Sequence, residues 1–506
     1  MVVLGLPYLL SGQNEADVLR YSLQSYGGTA RSYGLGGAFG SVGADFSCAG
    51  INPAGLARFR SSQFTFSTAF YNATNNSVYI SNELTDKKFN FNLPNVSLLV
   101  NIAGEDFESK KPKGFVNFTL GFNMNRLNNF HSNTLFDAVN QSSSITQNWA
   151  ERANATNTTP SNFSSYSLEH LAYQAWLIDK DTSSSTPRYK SAYGANPLIN
   201  VRQYGNIMTK GAINDYNLSF AANYQHMVYF GLTLGAKSVR YIKTSDFIEE
   251  DKKTANVKDI NYLTFNEYQR TTGTGLNAKL GINIAPNEHL RIGYAFHSPT
   301  VYNLKDTYSY SITSVFDYGA VDQFGDTRQG QKATTPQSTY YKYKISTPAR
   351  NIFSISLVDK KIGFIAFDIE TVNYTSGKII PTKENAGDYS FTNENLNVRK
   401  FYNASAVNYR FGAEYVYDQY RFRCGYAKNG SPYKNNAFTY ASDFKSNVYS
   451  LGFGIKTKDY SFDFAFVKTK SFSVDVPYTL ESGKSAAITN NYNITNLVFS
   501  VAVPID

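Results

Sequence analysis

Five histidines are the side chains of this 506-residue chain best suited to acid–base chemistry. A hydrolase built on a barrel or a sheet needs a histidine beside a nucleophile such as serine. His226 and His289 fall in short connections, His131 and His170 fall in a long one, and His297 stands alone in an alternating stretch. Because these positions cannot meet at one site, the sequence predicts no enzyme and no catalytic residue.

Two further chemistries are excluded by spacing. Cys48 and Cys424 are too few for a disulfide framework, and their separation matches no zinc motif. The glycines between Leu35 and Phe59 do not follow the GxGxxG pattern, and no lysine follows them as in a nucleotide-binding loop. We therefore expect no metal and no cofactor.

Basic side chains that alternate with apolar ones are candidates for binding an acidic ligand. A ligand carboxylate would pair with one or two of them, and Lys237 and Arg410 are the candidate ligand-binding pair. Most of the others are expected to bind N-terminal groups such as Asp45, backbone carbonyls or water. The net charge of +9 is spread rather than clustered, which fits contact with anionic lipid and makes nucleic acid a poor partner. The basic set, with few acids beside Glu414, is Lys237, Lys279, Arg291, Arg410, Arg421, Arg423 and Lys456.

Strands must position these side chains, and alternating patterns run from end to end of the chain. Tyr449, Leu451 and Phe453 share one face, and Phe462 and Phe464 continue the alternation after a tight turn. Such alternation is typical of a strand with two different faces. No run approaches the roughly 18 apolar residues of a membrane helix. Any part that spans a membrane must therefore be a closed barrel of strands.

The predicted fold class is all-β: a transmembrane antiparallel β-barrel of about 14 strands, with short turns on one rim and long extracellular loops on the other. The polar faces point inward, because a basic side chain facing lipid costs roughly 2 to 4 kcal/mol. A soluble β-sandwich, with the apolar faces in a core between two sheets, is the competing interpretation. Short connections lie near 225–226, 286–289, 359–360, 418–419 and 458–459, and long ones near 125–213, 244–262, 311–336, 376–396, 429–444 and 471–490.

The chain divides into three parts. Residues 1–12, apolar to Leu10 and then small at Ser11 and Gly12, are typical of the end of a signal peptide; the alternative is an apolar N-terminus that is kept. Residues 13–61 precede the first strand and are expected to fold into the lumen as a hatch, or plug. Residues 62–506 form the barrel, whose largest loop is predicted at about 125–213.

The stretch "YGGTARSYGLGGAFGSVGADFSCAGINPAGLARF", residues 26–59, contains Asn52-Pro53-Ala54 directly before the first strand. It resembles the N-terminal region of the outer-membrane long-chain fatty-acid and hydrocarbon transporters of the FadL/TodX type. That resemblance implies a fourteen-strand barrel with a hatch, extracellular loops that capture a hydrophobic ligand, and a lumen pocket that holds it. It also implies release by hatch movement and a kink in the third strand that opens the wall sideways.

The motif residues Asn52, Pro53, Ala54 and Gly55 are the candidate hatch site. Pro53 fixes its own φ and restricts Asn52 to extended conformations, so a defined turn is expected. The alternative is that the motif is only a turn, with no part in gating.

Apolar residues in the long segment 125–213 are the other candidate ligand contacts. Helical spacing in "SLEHLAYQAWLID", with Ser167 as a cap, predicts a short helix. Such apolar loops could form a capture groove, or they could pack on each other and cap the barrel. A largest loop after the third strand departs from the resemblance. The candidates are Leu135, Phe136, Leu168, Leu171, Trp176 and Leu177.

The predicted function is therefore an outer-membrane channel of a Gram-negative bacterium for hydrophobic molecules, with a fatty acid or hydrocarbon and membrane lipid as its partners. The alternative is a non-transporting barrel of the same superfamily in a secretion or surface-assembly machine, which would lack an apolar pocket. A porin for polar solutes is disfavoured by the plug.

Overall fold

The computed structural model describes most of the chain. Residues 1–12, predicted to be the remnant of a signal peptide, lie outside the described part. The described residues are 13–104, 107–109, 112–165, 167–181, 188–193, 200–251, 260–321, 327–334, 337–385, 389–481, 483 and 485–505.

Strands make up most of the described residues. They are β1 (Ser62–Tyr79), β2 (Asn82–Ala103), β3 (Phe115–Asn129), β4 (Ser132–Asn140), β5 (Ile178–Lys180), β6 (Tyr189–Ser191), β7 (Val201–Tyr224), β8 (Val228–Asp251), β9 (Ile260–Ile284), β10 (Leu290–His297), β11 (Val301–Val321), β12 (Thr327–Ala333), β13 (Gln337–Ser346), β14 (Arg350–Asp359), β15 (Gly363–Val372), β16 (Lys378–Pro381), β17 (Ala406–Tyr417), β18 (Tyr420–Asn429), β19 (Ser446–Lys456), β20 (Ser461–Asp475) and β21 (Ile488–Ile505).

The strands close into an antiparallel barrel. Four barrel strands consist of two consecutive segments that share ladder partners across a short break: β3 with β4, β10 with β11, β13 with β14, and β15 with β16. β5 and β6 form a separate small sheet, and β12 extends a hairpin from β11. β21 pairs with β1 from Ser62–Ile505 to Tyr79–Ile488, which closes the circle. The result is a fourteen-strand barrel, as predicted.

The two faces of the wall have opposite character, as the alternation predicts. Outward side chains include Leu276, Phe89 and Leu451, each more than 60% exposed. Inward side chains are mostly small and polar, such as Asn217 and Ser219, and are fully buried. Val116 is buried although Phe118, two residues later, faces outward, because a bulge between Phe115 and Asn117 shifts the register there. An apolar exterior around a polar interior is the pattern of a membrane barrel, not of a sandwich.

Helices occur only outside the barrel strands. They are α1 (Glu15–Ser22), α2 (Ala30–Gly34), α3 (Cys48–Ile51), α4 (Ile145–Thr156), α5 (Leu168–Gln174) and α6 (Thr392–Phe401), with 3-10 helices at Pro53–Arg58, Pro160–Asn162, Tyr374–Ser376, Lys383–Asn385 and Ala441–Asp443. Within the described residues, no helix has the length and apolar character needed to cross a membrane.

The predicted loop at 125–213 is too wide. β3 continues to Asn129, β4 follows it, and β7 begins at Val201, so the connection itself is confined to residues 141–200. The strand residues at both ends of the predicted loop are polar enough to resemble a loop. They nevertheless form strands, because β3 pairs with residues 212–224 of β7 and β4 pairs with residues 201–209. α4 and α5 lie in this connection, and Ser167 caps α5 by accepting a hydrogen bond from the His170 amide, as the spacing predicts.

Candidate functional site

The hatch, residues 13–61, lies inside the barrel and forms its own core. α2, α3 and the Pro53–Arg58 helix bring together buried residues that include Leu35, Phe39 and Phe46. Wall residues such as Leu99 and Ile352 complete this cluster. The lumen is therefore filled at this level by hatch side chains.

Asn52 both caps the motif and attaches it to the rest of the hatch and to the wall. Its Oδ1 accepts a hydrogen bond from the Ala54 amide at 3.2 Å, and Pro53 begins the 3-10 helix. Its Nδ2 donates to the Gly40 carbonyl at 2.7 Å and to the wall carbonyl of Tyr294 at 3.4 Å. The motif is a turn, as expected, and it is also a point of attachment.

Three wall glycines make room for this turn, and we call them the first glycine seat. Gly231 in β8 stands opposite Gly281 in β9, and Gly293 follows in β10. A Cβ on Gly231 would lie 2.2 Å from the Pro53 carbonyl carbon, and one on Gly281 would lie 2.0 Å from Asn52 Oδ1. Any larger residue would push the motif off the wall.

A second glycine seat holds the hatch at another part of the wall. Gly412 and Gly425 stand opposite each other in β17 and β18, and Gly452 lies in β19. A Cβ on Gly425 would lie 2.3 Å from the Gly36 amide nitrogen, and one on Gly412 would lie 2.7 Å from the Leu35 carbonyl oxygen. The Gly/Ala-rich stretch is therefore fitted to the wall at two places.

Buried arginines add polar attachments around Glu370. Glu370 Oε1 accepts from Arg350 at 2.6 Å, and Oε2 accepts from Arg410 at 3.0 Å. Arg350 also donates to the carbonyl of Ser22, and the Arg410 guanidinium lies 4.3 Å from the Tyr26 ring centre. The guanidinium of the candidate ligand residue Arg410 therefore already contacts Glu370 of the wall and Tyr26 of the hatch.

Other wall side chains reach hatch carbonyls rather than hatch acids. Arg291 donates to the Val42 carbonyl at 2.6 Å, and His297 Nε2 lies 2.8 Å from the Ile51 carbonyl. Asp45, the expected partner of a wall cation, instead accepts from Thr29 and from the Ser47 amide, both within the hatch.

Lys237, the other candidate ligand residue, contacts only wall residues among those described. It is 1% exposed and donates to Thr300 at 3.0 Å. Its neighbour Lys279 pairs with Asp215 at 2.6 Å.

The expectation of few inward acids beside Glu414 was wrong. Asp215, Asp368 and Glu370 are fully buried and face inward. Each alternates with apolar neighbours, as in "FDIET" at 367–371, so the period of two was the signal that could have located them.

Of the residues predicted to lie in the loop, Leu135 and Phe136 instead lie in β4, and most of the set packs in one buried cluster. Phe136, Leu171 and Leu177 are at most 2% exposed and belong to one buried cluster with Leu168. Trp176 packs partly buried beside Phe316, at 5.8 Å between ring centres. Leu135 is half-buried, and its carbonyl accepts from Ser77. This packing favours the capping interpretation of the loop for most of the set.

One pocket of about 120 Å³ lies between α1 and the capping loops, and Leu168 is the only candidate that lines it. Its lining combines rings and charges, including Trp149, Phe265, Tyr310, Arg20 and Lys243. In α1, burial raises the pKa of Glu15 to about 7. Burial likewise raises the pKa of the Cys48 thiol in the hatch, which keeps that group protonated.

The wall has a seam beside the third barrel strand. β2 pairs with β3 only up to Asn95–Asn125, whereas residues 82–94 face β4 without a backbone ladder. Hydrogen bonds that involve side chains cross the seam. Asn82 Nδ2 donates to the Asp137 carbonyl at 2.6 Å, Asn129 Nδ2 donates to Asn90 at 3.1 Å, Asn90 contacts His131 at 3.3 Å, and Asn133 donates to Asp86. Asn75 and Ser77 of β1 donate to the β4 carbonyls of Asn133 and Leu135 as well.

Outward aromatic rings flank this seam. Phe89 and Phe91 of β2 are exposed, and Phe70 of β1 packs against both. The β2 edge of the seam therefore carries the apolar outer face of the barrel.

No protein-family model matches the chain, and no curated protein matches it in sequence. Solved structures do match its fold. A Pseudomonas aeruginosa FadL homologue matches with a TM-score of 0.54 at 12% identity, over 94% of this chain and 97% of that one. The P. putida toluene transporter TodX matches with a TM-score of 0.50 at 10% identity, over 95% and 99%. A deltaS2 mutant of the TodX monoaromatic hydrocarbon channel gives 0.52 at 10% identity, over 95% and 100%. The chain therefore shares the fold of the FadL homologue and of TodX over almost its whole length.

Proposed function

We propose that the protein is an outer-membrane channel of a Gram-negative bacterium that takes up hydrophobic molecules such as long-chain fatty acids or hydrocarbons. The observation that carries the proposal is the seam between residues 82–94 and β4, beside a lumen filled by a hatch. The fold shared with a FadL homologue and a toluene transporter supports it.

A seam of this kind suits an apolar cargo better than a polar one. A filled lumen blocks the direct path that a polar solute needs, whereas an apolar molecule gains about 0.8 kcal/mol for each methylene that it buries in lipid. Backbone groups along an unpaired edge are unfavourable in lipid, and the side-chain bridges cover them in the closed state. Opening the seam breaks side-chain hydrogen bonds, including those from Asn75 and Ser77 of β1 to β4, but no backbone ladder.

In this proposal the extracellular loops capture the cargo and the pocket under α4 and α5 receives it. Leu168 and the aromatic rings of that pocket supply apolar contacts. Movement of the hatch, attached at Asn52, Pro53, Ala54 and Gly55, then releases the cargo toward the seam. Outer-membrane lipid is the second partner, on the apolar exterior of the barrel.

A second candidate is a non-transporting barrel that acts in a secretion or surface-assembly machine. The pocket favours it to some degree, because a volume of about 120 Å³ with Asp17, Arg20, Lys243 and Glu267 in its lining is small and partly charged. In that function the hatch and the glycine seats would serve only to keep the barrel sealed.

Two measurements on the whole protein separate these functions. Lipophiles that copurify in mild detergent are identified by mass spectrometry, and uptake of radiolabelled oleate and toluene is compared in deletion and complemented strains. The channel proposal predicts a bound lipophile and an uptake defect that the gene restores. No bound lipophile together with unchanged uptake would favour the secretion partner.

A further inference from the structure

A pocket of about 200 Å³ opens between the hatch and the wall at the short-turn rim. We call it the rim pocket, and it is separate from the pocket under the loops. It lies where β18 begins and β19 ends, beside Phe46 and Ala44 of the hatch. Since a water molecule takes up about 30 Å³, the rim pocket has room for a small polar group and a few waters, and not for a long acyl chain.

Cations outnumber acids in the lining of the rim pocket. Arg31, Arg421, Arg423 and Lys456 line it together with Asp45, Glu414 and Asp463. The acids are already satisfied: Glu414 accepts from Arg31 at 3.2 Å and from Arg423 at 2.6 Å, and Asp463 accepts from Arg423 at 2.6 Å. Asp45 accepts from neutral donors of the hatch.

Two of the cations lack an acidic partner within the described part of the chain. Arg421 Nη1 donates to the backbone carbonyls of Asp418 and Tyr420, at 2.6 and 2.9 Å. The Lys456 ammonium makes no ion pair among the described residues. It lies within electrostatic range of Arg31 and Arg421, and also of Glu414 and Asp463, which already pair with Arg31 and Arg423. Cations that outnumber the acids around them are stabilised by an anion that can accept several hydrogen bonds from them.

We propose that the rim pocket binds a small oxyanion, a carboxylate or a phosphate, between Arg421 and Lys456. Gln63 and Ser461 line the same pocket and supply further donors. The oxyanion can be a free ion or the head of an amphiphile whose tail stays outside. The site does not depend on hydrophobic transport, because its residues contact neither the seam nor the pocket under the loops.

Titration calorimetry on the purified full chain at low ionic strength tests the site. The probes are inorganic phosphate, decanoate and 1-decanol. Phosphate carries only the anion, decanoate carries the anion and an alkyl tail, and 1-decanol carries only the tail. Each charge-assisted contact is worth about tenfold in affinity, so R421Q/K456Q is expected to weaken phosphate binding by at least about tenfold. If the carboxylate head of an amphiphile binds in the rim pocket, the same variant loses affinity for decanoate by a similar factor. Added salt weakens binding to the wild type.

The control variant K361Q/K458Q removes the same charge from exposed turns of the same rim, outside the pocket, and keeps wild-type affinity for phosphate. Equal losses in the two variants, or none in R421Q/K456Q, would overturn the site. The single variant K456E repeats the test if the double variant does not fold. Binding of 1-decanol reports on the hydrophobic channel alone, so its loss or persistence leaves the phosphate result intact.

Discussion

Glu370 is the side chain on which the arginine contacts of the hatch depend. It is fully buried and holds Arg350 and Arg410, which in turn reach Ser22 and Tyr26 of the hatch. Removing one member of a buried ionic cluster leaves the charges of the other members without a partner, which lowers the free energy of unfolding by about 3 to 5 kcal/mol.

The variant Glu370→Gln therefore loosens the hatch next to Ser22 and Tyr26. We expect faster amide hydrogen exchange there, by a factor that corresponds to about 3 kcal/mol or more. Glu288→Gln is the control, because its pair with Lys360 is fully exposed to solvent and contributes little to stability. Equal protection of the hatch in both variants would contradict the role of Glu370.

Glu15 makes the docking of α1 depend on pH. Burial raises its pKa from 4.5 to about 7 in the folded chain, so the folded state keeps a proton that the unfolded state has already lost. Stability of the docked helix is therefore greatest below pH 4.5 and falls as the pH rises to 7. At about 1.4 kcal/mol per pKa unit, the change amounts to a few kcal/mol.

Hydrogen exchange of α1 between pH 5 and pH 8, corrected for intrinsic rates, measures this dependence. The wild type is expected to lose protection across the window, whereas Glu15→Gln, which has no proton to lose, shows a flatter profile. Identical slopes in the two proteins would assign the titration to another group.

Among the structural elements, the two glycine seats fix the position of the hatch against two separate parts of the wall. Gly281 lies under Asn52 and Pro53 without room for a Cβ, whereas a Cβ on Gly121 would meet Phe46 at an ordinary 3.6 Å. Both glycines are on wall strands and face the hatch, so they form a matched pair for substitution.

Gly281→Ala is expected to displace the Asn52-Pro53-Ala54 turn and to leave a barrel that leaks small polar solutes, because the lumen wall behind the hatch is polar. Gly121→Ala keeps the seal. Liposome swelling with a small sugar measures the leak, and heat-dependent gel mobility confirms that both barrels are folded. A sealed Gly281→Ala barrel would mean that the motif is not an essential attachment.

The alternation of apolar and polar residues predicted the strands, but it did not predict the breaks within four of them. The breaks at 298–300 and 347–349 contain Pro299 and Pro348, which lack the amide that a ladder requires, so a signal was present. The break after Asn129 contains Phe130 and His131 and has no such signal. Only the pairing partners of neighbouring strands define it.

The candidate site, like the strands, was predictable only in part from the sequence. Asn52-Pro53-Ala54 was located by its proline and its place before the first strand. Its wall partners Gly231 and Gly281 were not, because contacts across more than a hundred residues leave no local pattern. Apolar loop residues such as Leu171 were recognised as a group, but their types do not tell whether they bind a ligand or each other.

For the whole molecule, the proposed transport requires cargo to leave the sealed barrel through the seam between β2 and β4. Asp86 and Asn133 touch across that seam. Replacing both with cysteine allows a disulfide to lock it, whereas cysteines at Asn76 and Thr85 lock two strands that already pair.

Uptake of radiolabelled oleate and toluene in cells that carry each variant, before and after reduction with dithiothreitol, tests this release route. We predict that oxidised Asp86→Cys/Asn133→Cys blocks uptake, that reduction restores it, and that Asn76→Cys/Thr85→Cys transports in both states. Full uptake through the locked seam would contradict the account.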